Sequence, residues 1–181
     1  MTTSAASDRT EVGNYFIANY PPFSVWKKEA VAADARPALA TPPPTTPDVE
    51  VPLGLYLHIP FCRKRCHFCY FRVYTDKNAS EVQGYLDVLA REWELYATQP
   101  AVAGRPLNFV YFGGGTPSYI STAQLEGLVR RMDLVSSWRS AEEITFECEP
   151  GTLTEAKLRA IRATSPCSCF VDRDEGVPPP K

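Results

Sequence analysis

Short apolar runs alternate with segments of helical periodicity through the middle of this chain. The apolar runs are residues 53–59, 107–115 and 143–150, and the helical segments are residues 79–97, 121–132 and 152–163. Strands that alternate with helices predict a parallel sheet with right-handed crossovers. The sequence therefore predicts an α/β fold in the order β-α-β-α-β-α, with the carboxyl ends of the strands at one edge of the sheet.

The two ends of the chain lack this alternation. Residues 1–50 combine an aromatic stretch, "NYFIANYPPFSVW", with a segment rich in Pro, Ala and Thr. Proline favours extended geometry, so we expect a linker there, preceded by an aromatic arm that packs on a partner surface or by a disordered tail. Residues 164–181 show no period, and the fourth strand that is due there is not predicted. The expected division is thus 1–50, an α/β core portion over 51–163, and an irregular, unstructured tail, with the core as the front part of a larger α/β domain.

Charge and hydropathy exclude several classes of protein. The 181 residues carry a net charge of −2, which gives no general basic field for a nucleic acid. No run of about 18 apolar residues is present, so we expect no transmembrane segment. The first residues have neither the basic start nor the apolar stretch of a secretory signal. The expected location is the cytoplasm, where clustered thiols are more often metal ligands or redox groups than disulfides.

Three of the six cysteines lie close together, directly after the first predicted strand. Cys62, Cys66 and Cys69 have the spacing Cys-x3-Cys-x2-Cys. Thiolates are soft ligands that suit zinc or iron–sulfur clusters. A closed zinc site needs four ligands, and the candidate His67 is adjacent to Cys66, which would strain a tetrahedral site. A cubane cluster on three cysteines leaves one iron open to a reactant, and zinc or unligated thiols are the alternatives.

The cysteine motif, with the aromatic Phe68 before its last cysteine, resembles the signature of radical S-adenosylmethionine (SAM) enzymes. The resemblance implies a [4Fe-4S] cluster on Cys62, Cys66 and Cys69, with SAM chelating the open iron. One electron then cleaves the sulfonium of SAM, and the resulting radical abstracts hydrogen from a substrate.

A glycine-rich segment ends the second predicted strand at the same edge. In "YFGGGTPSYIS", residues 111–121, three glycines let the backbone approach a ligand, and free N–H groups there can bind a carboxylate. The same letters also fit a plain tight turn. The segment resembles the loop of the radical SAM family that contacts the methionine amino group, which implies this role for Gly114, Gly115 and Thr116.

A pair of carboxylates ends the third predicted strand. In "TFECEP", residues 145–150, Glu147 and Glu149 are two apart and face one way. They are either ordinary exposed charges or groups that bind a cofactor. The resemblance assigns cofactor binding to Glu147.

Three segments together, "LYLHIPFCRKRCHFCYF", "YFGGGTPSYI" and "ITFECEP", resemble the oxygen-independent coproporphyrinogen III oxidase family over roughly residues 53–163. The resemblance implies the N-terminal part of a partial (β/α)6 TIM-like barrel, in which Tyr56 lies beside the cofactor and the main chain around Phe68 contacts the adenine. It implies an oxidoreductase that decarboxylates two propionates of a porphyrinogen to vinyl groups in haem biosynthesis. The implied partners are a porphyrinogen or haem-like substrate and an electron donor of the flavodoxin or ferredoxin type.

One position departs from the oxidase pattern. The oxidases have a further cysteine two residues after the motif, where this chain has Phe71. The haem-chaperone branch of the family also lacks that cysteine, so a haem carrier or another haem-handling radical SAM relative is an alternative to the decarboxylase, and an inactive truncated fragment is another. Arg63, Lys64, Arg65 and Arg72 surround the cysteine loop, either to attract an anionic porphyrin or as a solvated basic loop.

The other cysteines and one histidine are given simpler interpretations. Cys148 is expected to pack as a small apolar residue, whereas Cys167 and Cys169 receive no role. His58 is expected to be packed or hydrogen-bonded rather than to be a ligand.

Overall fold

The structure is a computed structural model, and it describes residues 26–44, 51–69, 71–138 and 141–164, together with the backbone of residues 168–172. Four parallel strands form one sheet in the order in which they occur along the chain. They are β1 (Gly54–Ile59), β2 (Phe109–Gly114), β3 (Glu143–Cys148) and β4 (Ser168–Asp172). Three helices connect them: α2 (Ala79–Tyr96), α3 (Thr122–Asp133) and α4 (Glu155–Thr164). The predicted α/β fold with a parallel sheet is therefore confirmed.

The expectation that no fourth strand follows the third helix is wrong. Strand β4 pairs in parallel with β3 from Ile144↔Ser168 to Cys148↔Asp172. Its five residues, "SCFVD", include an aromatic and a β-branched residue, which favour a strand. This run is shorter than the other three, so periodicity alone did not distinguish it from a loop. The rest of the domain division stays a prediction.

A helix, α1 (Lys28–Ala40), replaces part of the predicted linker. Six of its thirteen residues are alanines, the residue with the highest helix propensity, and Pro37 lies inside it. None of its residues is buried. The prediction of an extended linker is therefore wrong for this segment, whereas the aromatic stretch before Trp26 lies outside the described residues.

The core lies on one face of the sheet, and the alternation of side chains along the strands decides which face that is. Leu57, Phe112 and Phe146 occupy neighbouring positions on β1, β2 and β3, and all three are buried. They pack with buried residues of the helices, among them Leu86 on α2 and Leu125 on α3. Burial of these large side chains supplies the main driving force for folding. The opposite face of the sheet is left to polar and aromatic residues.

Side chains cap the helices and fix where they begin. The Ser121–Gln124 capping box that the sequence contains is present, with Gln124 N–H donating to Ser121 Oγ over 3.2 Å. A second box, on Asn78, starts α2. Helix α4 begins later than predicted, because Thr154 accepts the hydrogen bond from Lys157 N–H. Among the helices that the structure describes, none has the length and apolarity needed to span a bilayer.

Candidate active site at the strand ends

The cysteine motif lies in a loop that leaves the carboxyl end of β1 and closes on itself. Tyr74 closes it: its N–H donates to the Pro60 carbonyl over 2.8 Å, and its own carbonyl accepts from Cys62 N–H over 3.0 Å. A shorter turn inside the loop is closed by Cys69 N–H donating to the Cys66 carbonyl over 3.1 Å. The loop is thus anchored at its base, next to the sheet.

The three motif cysteines are thiols with unequal exposure. Cys62 is buried, whereas Cys66 and Cys69 are partly exposed. The Thr116 hydroxyl lies 3.5 Å from Cys62 Sγ, which ties the first cysteine to the end of β2. All three side chains line one cavity of about 280 Å³. A cavity of this size, with polar groups converging on it, is typical of a small-molecule site.

The same cavity brings together most of the residues that the sequence singles out. Nine residues are predicted to bind the cluster or SAM. Seven of these nine line the cavity: Cys62, Cys66, Phe68, Cys69, Gly115, Thr116 and Glu147. Glu149 and Phe71 also line it, although neither is among the nine. Tyr56 and Gly114 do not belong to this lining. The carboxyl ends of β1, β2 and β3 therefore contribute to one site, as expected for parallel strands.

The donor set and the space around it fit an iron–sulfur cluster. Three thiols face one cavity, and thiolates are the ligands that such clusters use. A Cβ at Gly115 would lie 2.8 Å from Cys62 Sγ, so glycine keeps this space open. In the described part of the chain, no three His, Cys, Asp or Glu side chains lie close enough together to hold one metal ion. In an iron–sulfur cluster each thiolate binds a different iron, so this finding concerns a single metal ion and not a cluster.

The glycine loop holds the cysteine loop in place. Gly114 has φ +117°, a conformation that favours glycine, and a Cβ there would meet the His58 ring at 2.9 Å. Gly115 N–H donates to the Ile59 carbonyl and Thr116 N–H to the Phe61 carbonyl, both over 2.8 Å. The expectation that these two amides are free to bind a carboxylate is wrong, because the β1–β2 pairing continues past the strand ends.

A series of side-chain contacts crosses the face of the sheet opposite the core and ends at Glu147. Glu147 is buried and accepts a hydrogen bond of 2.9 Å from the Tyr111 hydroxyl. The Tyr111 ring stacks on Tyr56, with centroids 5.8 Å apart. The Tyr56 hydroxyl lies 3.1 Å from His58 Nδ1, which confirms the expected hydrogen-bonded histidine. Sequence reasoning missed the role of Tyr111, because its register opposite Tyr56 exists only once β1 and β2 pair.

Two of the four basic side chains around the motif are held by main-chain carbonyls. Arg63 donates to the Gly151 carbonyl over 2.8 Å, and Arg65 donates to the Cys69 carbonyl over 2.9 Å. Arg72 lies over the Tyr74 ring, 5.7 Å from its centroid. All three arginines are exposed, so attraction of an anionic porphyrin and a solvated basic loop both stay predictions.

The remaining predictions near the site have different outcomes. Cys148 is buried, with its Sγ 3.7 Å from the Phe146 carbonyl, so it packs as predicted. Cys167 lies outside the described residues, and only the backbone of Cys169 is described. Burial raises the pKa of Tyr85, whose hydroxyl donates to the His58 carbonyl over 2.7 Å.

Comparison with known proteins identifies relatives of part of this chain. No family model matches. The chain is 35% identical over 114 residues to the oxygen-independent coproporphyrinogen III oxidase of Escherichia coli K12, covering 63% of this chain and 24% of that protein. It is 33% identical over 117 residues to the heme chaperone HemW of Synechocystis, covering 62% of this chain and 27% of that protein. The chain thus spans about a quarter of the length of these curated relatives.

A solved structure shows the same fold. The E. coli coproporphyrinogen III oxidase HemN, described as a radical SAM enzyme, matches with a TM-score of 0.63 and 30% identity, over 83% of this chain and 32% of that chain. Sequence and structure thus agree on one group of relatives. The matched part of this chain is homologous to the oxygen-independent coproporphyrinogen III oxidases and to the heme chaperone HemW, and its parallel sheet corresponds to part of the TIM-like barrel of the radical SAM oxidase.

Proposed function

We propose that this chain provides the cluster-binding and SAM-binding portion of a radical SAM oxidoreductase that acts on a porphyrinogen. The observation that carries the proposal is the convergence of three thiols, a glycine loop and a buried carboxylate on one cavity at the carboxyl ends of β1, β2 and β3. When bound, a [4Fe-4S] cluster supplies the electron that cleaves the sulfonium of SAM.

The residues of the chain divide the work of holding these groups. Cys62, Cys66 and Cys69 are the proposed cluster ligands, and the Thr116 hydroxyl, 3.5 Å from Cys62 Sγ, supports the first of them. Hydrogen bonds to a thiolate favour its charged form, which is the form that ligates iron. The main chain around Phe68 forms the proposed adenine contact.

The carboxylate side of the cavity provides the polar contacts for SAM. Glu147 is the proposed partner of the ribose hydroxyls or of the ammonium group, and the hydrogen bond from Tyr111 fixes its orientation. Tyr56 lies at the far end of the same series of contacts, and its half-exposed ring is available to a bound molecule. Gly114 and Gly115 leave room for the His58 ring and Cys62 Sγ, and together with Thr116 they are the proposed contacts to the methionine amino group of SAM.

The experiment is anaerobic reconstitution with iron and sulfide, followed by iron and sulfide analysis and visible absorption. We expect about four irons per chain in the wild type and a loss of the cluster in Cys66→Ser. Cys148→Ser is the matched control, because Cys148 lines the same cavity but lies outside the motif. Tight zinc binding in place of iron, or an unchanged cluster in Cys66→Ser, would refute the proposal.

A haem chaperone is the second candidate, and Phe71 favours it. Phe71 lines the cavity beside Cys66 and Cys69, where an aromatic ring can pack on a flat macrocycle but can neither ligate iron nor carry a proton. Haemin titration of the wild type and of Phe71→Ala tests this function. Haemin binding that weakens in the variant, without any turnover of porphyrinogen, would favour the chaperone over the decarboxylase.

The electron donor is proposed to be an acidic protein of the flavodoxin or ferredoxin type. The two partly exposed cysteines place the proposed cluster near the surface, and Arg63 and Arg65 are held at the rim of the same loop. Opposite charges would steer such a partner to this rim, and the association would weaken with salt. The proposed location of the protein is the cytoplasm.

A further inference from the structure

A lysine is buried on the inner face of helix α4. Lys157 is only 6% exposed and shares this face with Ala160 and Ile161, which are also buried. Lysine is almost never buried to this degree without partners, because removing its charge from water is costly. Burial accordingly lowers the pKa of Lys157. An apolar residue would fill this position at less cost, so the contacts of the ammonium group require an explanation.

The ammonium group binds the turn that follows the glycine loop. Lys157 Nζ donates to the Ser118 carbonyl over 3.1 Å and also to the Ile120 carbonyl. Both carbonyls belong to the short 3-10 turn Pro117–Tyr119 and the residue after it, which connect β2 to α3. The turn is therefore fixed to α4 by a charged donor, and hydrogen bonds of this kind are roughly twice as strong as neutral ones.

The same turn is also fixed to the segment after β3. Ser118 Oγ accepts a hydrogen bond of 2.9 Å from Glu149 N–H, and the Thr152 hydroxyl lies 2.5 Å from the same oxygen. The Thr152 hydroxyl is also 2.8 Å from the Glu149 carbonyl. Ser118 is buried, so its contacts are shielded from competing water.

These two segments line the cavity from neighbouring strands and form two of its walls. Gly115, Thr116 and Pro117 line it from the end of β2, and Glu147 and Glu149 line it from the end of β3. Lys157 binds carbonyls of the turn that follows the glycine-loop wall, and Ser118 of that turn binds the Glu149 amide in the glutamate wall. A change in these hydrogen bonds would move the walls relative to each other while leaving the cysteine loop attached to β1.

We propose that Lys157 is a positioning residue that, through the Pro117–Tyr119 turn and Ser118, sets the spacing between the glycine-loop wall and the glutamate wall of the cavity. The inference rests on the proposed function, because the occupant of the spaced cavity is SAM. A site built to hold a cofactor needs such rigid support behind the residues that touch it. Lys157 touches no cofactor itself and acts through the turn.

The test compares Lys157→Met with Arg159→Met, a change of an exposed cation on the same helix that pairs with Glu155. In the reconstituted protein, we expect Lys157→Met to keep its iron content and to bind SAM about tenfold more weakly, because the Ser118 and Ile120 carbonyls lose the donor that fixes the turn. We expect the Glu149 amide to exchange with deuterium about tenfold faster, while the Phe112 amide in β2 is unchanged. Arg159→Met should match the wild type in all three measurements.

Ser118→Ala provides a second variant that leaves Lys157 in place. If the turn, Lys157 and Ser118 act as one unit, Ser118→Ala gives a similar loss of SAM affinity, and the double variant loses less than the sum of the two free-energy changes. Wild-type SAM affinity and Glu149 exchange in Ser118→Ala and in folded Lys157→Met would overturn the inference. If Lys157→Met fails to fold, wild-type SAM affinity and Glu149 exchange in Ser118→Ala would still overturn the inference.

The exchange measurement separates this inference from the proposed function. It uses the protein without cofactor, so it tests the support of the Glu149 wall by Lys157 directly. A wild-type protein that binds no SAM would refute the proposed function. It would also refute the role of Lys157 in spacing a SAM site. In that case, the exchange of the Glu149 amide in Lys157→Met still tests whether Lys157 supports the glutamate wall. Unchanged exchange would refute this support, and faster exchange would confirm it without a role in SAM binding.

Discussion

Replacing Gly115 by alanine is expected to disrupt the site through one methyl group. An ideal Cβ at this position lies 2.8 Å from Cys62 Sγ, 2.9 Å from the Phe61 carbonyl oxygen and 3.0 Å from the Pro60 carbonyl carbon. Ordinary contacts of a Cβ begin at 3.4 Å, so Cys62 or the glycine loop must move by the difference, which is 0.6 Å for the sulfur. Two of the three opposing atoms are backbone, and they cannot rotate away.

The expected cost follows from the type of contact. Overpacking of a well-packed region destabilises a protein by about 1–3 kcal/mol, and we expect Gly115→Ala to lower the free energy of unfolding by about 2 kcal/mol. Displacement of Cys62 should also abolish cluster uptake, because an iron–thiolate bond does not tolerate such a shift. Urea unfolding of the protein without iron and iron analysis after reconstitution measure the two effects separately.

Gly127→Ala is the matched control for this prediction. Gly127 lies inside helix α3, and a Cβ there meets no atom within 4 Å. Alanine is favoured over glycine in a helix interior by about 0.5–1 kcal/mol, so this variant should be slightly more stable and keep its cluster. Wild-type stability and iron content in Gly115→Ala would show that the packing argument around Cys62 is wrong.

Three further predictions test other parts of the structure. Tyr111→Phe removes the hydroxyl that donates to Glu147, so SAM should bind about tenfold more weakly in equilibrium dialysis; unchanged affinity would argue against an orienting role. Asn78→Ala removes the capping box of α2 and should lower the free energy of unfolding in urea by about 1 kcal/mol; a variant as stable as the wild type would contradict the cap. Burial lowers the pKa of Lys157 below its usual 10.5. Between the lowered value and 10.5, the unfolded chain therefore binds more protons than the folded protein, so the contribution of Lys157 to the free energy of unfolding rises with pH. Urea titrations across this window should therefore favour the wild type over Lys157→Met increasingly as pH rises, and a difference independent of pH would contradict the burial.

Local patterns in the sequence were enough to predict the order of elements from β1 to α4 and the edge at which the site forms. The apolar runs before Cys62, Gly114 and Glu147 are the three strands whose carboxyl ends surround the cavity. The capping box at Ser121 is a local signal too, and the structure has it. Such signals succeed because parallel strands joined by helices must bring their carboxyl ends to one edge.

Other features depended on which groups meet across the fold. The short strand β4 is stabilised by its pairing with β3, and its five residues alone are not distinctive. The amides of Gly115 and Thr116 are free in an isolated turn, but they are occupied once β1 lies beside β2. Lys157 occurs in the apolar stripe of α4, and the sequence does not show that two carbonyls of a distant turn face it.

The sequence by itself therefore determined which groups the site contains: three thiols, a glycine loop and a carboxylate at the ends of successive strands. Only the tertiary structure decided how these groups are held. The Tyr111 hydroxyl donates a hydrogen bond to Glu147, and Ser118 Oγ accepts one from the Glu149 amide. The physical reason is the separation along the chain of the residues that interact. Strand and helix patterns reflect interactions between residues that are near in the chain, whereas a hydrogen bond between residues more than thirty positions apart exists only after the sheet has formed.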